Sequence, residues 1–312
     1  MANALANIKR TAFEAFYQRL GAATSNYTEI GDDVVITSDT YALQLYNAFG
    51  VTAFAAQVAG TDPTAEDILT IKSTVTSATY EKMVKITEQD ALDNPDLLPE
   101  LARQMADAGA ASIANTFWTA VATAHSTAHP NTIKVDNDDD SAINFIDPGS
   151  QKILTSGLHL AQSNQLAAAL SSSSLSNNRA KLQAYKNDAG LPISPDMTSE
   201  NLCLVVPAAL ATTARDLVAL DAPVYADDLG SSVSGSYRGM SVVVSPYLDV
   251  TDQNNWWLFH KRYAPVRIWL RKAPTLRIET LQATGHISVY ASGIWASVLM
   301  PNEFGVIGNI VA

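Results

Sequence analysis

YEKMVKITEQDALDNPDLLPELARQMADAGAASIANTFWTAVATA, residues 80–124, joins two segments of opposite character. Its second part, about Pro99 to Ala124, carries the strongest helical pattern in the chain. Leu101, Met105, Gly109, Ile113, Phe117 and Val121 advance by four and form one apolar stripe. Asp96 stands where an N-cap belongs, which places Pro99 in the first turn, where a missing N–H costs little. Alanines at 102, 106, 108, 110, 111 and 114 let another element approach closely. At 1.5 Å per residue the helix is on the order of 39 Å long, which suits a spine better than an ordinary core helix.

Upstream, VTAFAAQVAG (51–60) and ILTIKSTVTSATYEKMVKI (68–86) flank the turn-rich TDPTAED (61–67). The pattern predicts a long hairpin over 49–87 with poor apolar/polar alternation and few large side chains. A two-stranded hairpin is marginal alone in water, so this one needs a surface outside itself to lie on. Before it, Ile8, Ala12, Phe13, Phe16, Tyr17 and Leu20 share one helical face, with Asn7 to start the helix and Gly21 to end it. Residues 22–40 read as an extended arm with a short strand signal at Val34–Ile36.

Downstream, 130–150 reads as a loop. Helical patterns follow at about 151–170 and 178–188, separated by Ser171–Ser174, with Gly190 and Pro192 ending the second. LCLVV (202–206) reads as a buried strand and 207–220 as a helix opened by Pro207. From Met240 the pattern is β-rich: MSVVVSPYL, NWWLFH, APVRIWLRK, TLRIETL and HISVYASGIWASVLM. No fixed-period repeat is present, which argues against solenoids and propellers. Segregated runs of helix and strand make the class α+β.

Composition narrows the function classes. The chain has 312 residues, 47% apolar and 16% charged, enough for two domains or one elaborated one. With 31 acidic against 20 basic residues, the formal charge of −11 repels a nucleic-acid backbone over most of the surface. That argues against a protein built to grip DNA, but not against one that surrounds it. The single cysteine, Cys203, excludes an internal disulfide framework and a cysteine-based zinc cluster. No run of about 18 apolar residues spans a membrane. MANALANIKRTAF lacks the apolar core of a secretory signal, so an intracellular, soluble product is expected.

Candidate chemistry is sparse. Asp136, Asp138, Asp140 and Asp147 fall at positions 1, 3, 5 and 12 of a calcium-loop template, but Ser141 replaces its glycine and Asp147 its glutamate, so they read as a solvated acidic loop. His125 and His129 have i,i+4 spacing but run into Pro130 without a zinc-protease glutamate, and His159, His260 and His286 are scattered. GSYRG (235–239) has its serine misplaced for a nucleophile elbow, and phosphate-binding glycine loops are absent. Cys203 sits in an apolar strand and reads as a small buried hydrophobe. Lys261, Arg262, Arg267, Arg271, Lys272 and Arg277 form the one basic run. In a strand, Arg267 and Arg271 share a face with Trp269. The run can contact nucleic acid, or pair with the acid-rich EQDALDNPDLLPE (88–100) in the same subunit or the next. No catalytic, cofactor-binding or metal residue is nominated, and no cofactor is expected.

From about residue 80 the order of features resembles the major capsid proteins of tailed phages, in the Mu-type (gpT-like) head-subunit branch. YEKMVKITEQDALDN before an alanine-rich helix is similar to the family's outgoing hairpin strand and spine helix. LQAYKNDAGLPISPDM and NLCLVVPAALATTARDLV resemble its helix, G-x-P turn, strand and helix. MSVVVSPYLDVTDQNNWWLF is the most specific match. The resemblance implies the Hong Kong 97-type capsid fold: an N-arm (1–48), an extended hairpin loop over an adjacent subunit (49–87), a peripheral domain (88–145 and 266–312) and an axial domain (146–265).

It further implies a structural, non-enzymatic virion protein. Such a subunit self-assembles into hexamers and pentamers of an icosahedral shell around double-stranded DNA, in the host cytoplasm, with scaffolding, portal and decoration proteins as partners and no membrane. A helix starting by Asn7 suggests either no N-terminal cleavage or a separate scaffold. Lys72, Lys82 and Lys85 are available for covalent cross-linking, but nothing marks a matching asparagine and helper glutamate, so none is expected. Deleting 52–84 is expected to leave a folded subunit unable to form stable shells. The rival readings are an encapsulin-like bacterial compartment, an α+β hydrolase and, less favoured still, a DNA-binding module.

Overall fold

In the computed structural model, α1 (Ala2–Ala22), the short strand β1 (Val35–Thr37) and the paired strands β2 (Ala42–Phe49) and β3 (Leu69–Thr76) come first. They lead into β4 (Ala78–Thr87), α2 (Glu88–Asp93) and the long α3 (Leu97–Thr123). Then come β5 (Asn144–Ile146), β6 (Ile153–Thr155), β7 (Gln165–Leu166), α4 (Ser172–Gln183), β8 (Leu202–Pro207), α5 (Ala211–Val218) and β9 (Ser241–Ser245). The chain closes with β10 (Trp256–His260), β11 (Val266–Leu281), β12 (His286–Leu299) and β13 (Val306–Asn309). The structure describes residues 2–22, 26–31, 34–49, 69–123, 144–146, 153–155, 165–184, 198–218, 240–250, 253–263, 266–281, 285–299 and 306–309.

The described strands form three sheets, ordered β1-β11-β12-β4, β7-β13-β10-β8-β9 and β2-β3-β5-β6. In the first, β12 pairs antiparallel with both β11 and β4, and β1 adds in parallel on the far edge of β11. Its inner face carries Val84, Ile86, Leu276, Ile278, Ile287, Val289 and Ala291. The ladder slips between Lys272 and Thr275, where Pro274 cannot donate a ladder hydrogen bond.

Helix α3 ties this sheet to the five-stranded one. Its first half packs Leu98, Ala102, Met105 and Ala106 against Ala12 and Phe16 of α1 and against β12. Ala102 and Ala106 are fully buried, so α1 is the element that the alanine-rich face admits. Arg19 of α1 closes the helix pair with a 2.6 Å contact to Asp107. The second half of α3 buries Ile113, Ala114, Phe117, Trp118 and Val121 against Cys203, Val205, Val243, Trp257, Phe259 and Ile268. At roughly 1.5–3 kcal/mol per large apolar side chain, this second half contributes most of what holds the two sheets together.

The five-stranded sheet is buried on both faces, which is why LCLVVP and WWLFH read as unbroken apolar runs. Leu202, Leu204, Val206, Trp256 and Leu258 turn toward Leu175 and Leu182 of α4 and Ala214 and Val218 of α5. Cys203, Val205, Trp257 and Phe259 turn the other way, toward α3. The Trp256 indole N–H donates to the Ala168 carbonyl at 2.8 Å.

Several local expectations change. The predicted single strand over 68–86 breaks at Ser77: β3 pairs with β2, while β4 pairs with β12. The partner of β3 is Ala42–Phe49, upstream of the expected 51–60, which lies outside the described residues. Asn144–Ile146, expected in a loop, is a strand paired with β3 and β6. The helix expected over 151–170 is not formed where described: 153–155 and 165–166 are strands, because they pair with β5 and β13. Ser171–Ser174 does not separate helices but begins α4. The Ser171 hydroxyl accepts from the Ser174 N–H, and the Ser174 hydroxyl accepts from the Ser171 N–H, a reciprocal cap that offsets the weak helix propensity of serine.

Trp295 of β12 is the tightest joint. Its ring stacks on Tyr80 at 4.2 Å with 5° between planes, and its N–H donates to the Thr116 hydroxyl of α3 at 3.3 Å. Gly293 leaves room for that ring, since a Cβ there would stand 2.5 Å from Trp295 Cζ3 and 3.2 Å from the Lys272 carbonyl. Gly293→Val is expected to destabilise the fold by about 1–3 kcal/mol, read as a lower urea midpoint. Gly21→Ala, where a Cβ meets nothing within 4 Å, is expected to leave the midpoint unchanged or raise it slightly.

Burial in β8 pushes the Cys203 thiol up to about 11, against an ordinary value of 9.0. Native protein at pH 8 is therefore expected to resist a thiol-specific chromophoric reagent, and urea-unfolded protein to react fully; rapid native labelling would contradict the burial. Because the folded thiol holds its proton more tightly than the unfolded one, its contribution to stability is complete below pH 9 and is lost as pH rises toward 11. The urea midpoint is expected to fall over that window, and a Cys203→Ala variant to show less of the fall.

Candidate interaction surfaces

No reactive constellation comes together among the described residues. Among the described residues, no three His, Cys, Asp or Glu side chains gather to hold a metal ion. Asp136, Asp138, Asp140, Asp147, His125, His129, His159 and the 235–239 segment lie outside the described residues. His260 is buried at the end of β10 with its ring 5.0 Å from Tyr263, and His286 begins β12, in a different sheet from Cys203 of β8. None of the described helices is long and apolar enough to cross a membrane.

A cavity of about 250 Å³ opens between the middle of α3 and the sheet, lined by Met105, Gly109, Pro274, Ala291, Trp295 and Tyr80, with Glu81 and Lys82 at its margin. Gly109 sets its depth: a Cβ there would touch the Pro274 ring at 3.5 Å. The walls are mostly apolar and offer no nucleophile paired with a base. The cavity is a packing gap beneath the spine helix, where sequence reasoning had nominated nothing.

What the molecule does present is charge and exposed strand on its outer surface. On the face of the first sheet opposite the core, Glu81, Met83 and Lys85 of β4 lie beside Ser288, Tyr290 and Ser292 of β12, and these beside Thr275, Arg277 and Glu279 of β11. The Tyr290 hydroxyl bonds Glu81, which holds its proton above the ordinary tyrosine range, and Arg277 meets Glu279 at 2.6 Å. Met83 is 52% exposed in the middle of this face. Lys82 and Lys85 are exposed on β4, and Lys72 lies in β3.

The basic run does not form one open face. Trp269, between Arg267 and Arg271, is fully buried under Val75 and Val298, with its N–H on the Ser38 carbonyl at 3.0 Å. The foot of the β2–β3 pair thus crosses the strand there. Arg271 instead rests against Tyr41, 5.7 Å from the ring centroid, and Tyr41 is 81% exposed. Lys272 stands too far from residue 88 of the same chain to pair with it. Lys272 lies opposite Ile294 of β12, and residue 88 follows Thr87, which lies opposite His286, about 26 Å further along the strand.

Comparison with known proteins places these surfaces in a known fold. The fold is similar to the capsid of the cyanophage P-SCSP1u, at 13% identity over 89% of this chain and 86% of that chain, with a TM-score of 0.59. It is similar to the mature capsid of bacteriophage PhiM1, at 12% identity over 93% of this chain and 87% of that chain, TM-score 0.59. It is also similar to a virus-like particle from Pyrococcus furiosus, at 8% identity over 96% of this chain and 98% of that chain, TM-score 0.52. At these identities the likeness is one of fold, and the fold is the Hong Kong 97-type α+β capsid fold. No curated protein matches the sequence. Residues 70–299, well over half of the chain, match the phage capsid protein family. That span begins in β3 and ends with β12, so it contains α3 and most of both main sheets. The protein is accordingly a structural shell subunit of the virion and not an enzyme; it belongs to the phage capsid protein family.

Proposed function

We propose that the chain is the major head subunit of a tailed phage of the Mu type, forming the hexamers and pentamers of an icosahedral shell around double-stranded DNA. The observation that carries this reading is the family match over 70–299 combined with a fold likeness that covers nearly the whole chain. The net charge of −11 supports a container that surrounds DNA without adhering to it. Scaffolding, portal and decoration proteins are the partners expected of such a head, and assembly is placed in the host cytoplasm. Residues 1–48 are assigned to an N-arm, 49–87 to the extended loop, 88–145 and 266–312 to a peripheral domain and 146–265 to an axial domain. An encapsulin-like compartment shares the fold, but the family match favours the phage head. A hydrolase would need converging reactive groups, which the cavity beside α3 does not supply.

The structure alters how the hairpin is to be tested. Removing 52–84 would strip most of β4, including Val84, from a ten-residue ladder with β12 and from the α1–α3 core, so it would not leave a folded subunit. Phe49 pairs with Leu69, so replacing 51–68 with a four-residue glycine–serine turn closes the ladder and removes none of the described residues. The shortened subunit is expected to keep its far-ultraviolet circular dichroism and melting temperature while forming no closed shells in negative-stain electron microscopy. Shells of normal size and yield from this variant would overturn the assignment of the hairpin to inter-subunit contact.

A further inference from the structure

Two segments of opposite charge stand at opposite ends of the same strand pair. Residues 88–100 hold five carboxylates and no lysine or arginine, and residues 261–272 hold five cations and no carboxylate. The acidic segment follows β4 at Thr87, opposite His286, and the basic one flanks the other end of β12, where Arg267 lies opposite Val298. Lys272, opposite Ile294, stands eight residues of strand, about 26 Å, from His286. Screening over about 8 Å at physiological salt means that neither end neutralises the other within one chain.

Both ends are available. Asp93 and Asp96 are exposed, and Glu100 is half-exposed with Arg103 at 3.0 Å. At the other end Lys272 is exposed, and Arg271 lies against the exposed ring of Tyr41. A tyrosine–arginine pair is the side-chain chemistry enriched where proteins bind proteins, which favours a protein partner over a phosphate backbone. The partner needs clustered carboxylates, and every copy of this chain carries them at its far end. A head-to-tail contact of this kind is heterologous, and it closes into rings when the rotation between copies allows.

We propose that the acidic end of one subunit, Asp93, Asp96 and Glu100, docks on the basic end of the next, Tyr41, Arg271 and Lys272. The proposal rests on the self-assembly reading and specifies its polarity. It is tested with Asp93→Lys/Asp96→Lys, Arg271→Glu/Lys272→Glu and the chain carrying all four changes, each scored for folding by circular dichroism and for assembly by sedimentation and electron microscopy. The neutral pairs Asp93→Asn/Asp96→Asn and Arg271→Gln/Lys272→Gln serve where a reversal does not fold.

Each reversal is expected to cut the assembled fraction at least tenfold. The four-fold change is expected to restore it, and wild-type assembly to weaken between 0.1 and 0.5 M salt (on the order of the span over which surface charge is screened). Normal assembly of both folded reversals, or a folded four-fold variant that does not recover, overturns the proposal while leaving the shell assignment intact. A basic-end variant that assembles normally but loses packaged double-stranded DNA assigns that face to DNA and overturns it too. A wild-type chain that stays monomeric under all conditions overturns the self-assembly reading and this polarity with it.

Discussion

The structure depends on one helix serving two sheets. Helix α3 cannot satisfy both with a single narrow stripe, and its residues divide accordingly. Small ones, Ala102 and Ala106, lie where α1 comes close, and large ones, Phe117 and Trp118, lie where the five-stranded sheet must be reached across a wider gap. Trp295 ties the helix to the sheet, because it bonds α3 through Thr116 while stacking on Tyr80 of the edge strand. Thr116 in turn donates to the Ser112 carbonyl at 2.8 Å, so its hydroxyl is engaged both as acceptor and as donor. A change at this joint is transmitted to β4, β12 and α3 together.

How much of this was legible in the sequence follows the range of the interactions. Helix α3 and the buried strands β8 and β10 announced themselves, since a four-residue apolar stripe and a two-sided apolar run are local consequences of burial. The serine-led start of α4 did not, because its cap is made by Ser171 and Ser174 and lacks the glutamate or glutamine that usually signals one. GLHLAQSNQLAAAL has helical composition, yet Gln165 and Leu166 are claimed by β13, more than 140 residues later in the chain. The parallel addition of β1 to β11 is equally remote, and no local pattern encodes it.

The candidate site was legible only as a lack. A capsid subunit acts through surfaces repeated over many copies, so no small group of residues has to converge, and motif reading finds nothing to nominate. The signals that did carry function were oddities of economy: a hairpin with too little to bury and charges segregated by sign along the chain. Their meaning needed the topology. The basic run looked like one face of a strand until Trp269 proved to be covered, which moved Arg271 and Lys272 to the flank of a crossing strand pair.

That crossing also explains how a marginal hairpin can have a fixed direction. β2 and β3 alone would be too weak to hold an orientation in water, and β5 adds to them where Ile146 pairs with Thr70. Here the foot of β2 and β3 is clamped: Val75 and Leu43 cover Trp269, whose N–H is tied to the Ser38 carbonyl just before β2 begins. The break at Ser77 then hands the chain to β4, which is locked to β12 along ten residues. A rigid foot on a core tryptophan thus sets the direction in which the paired strands run.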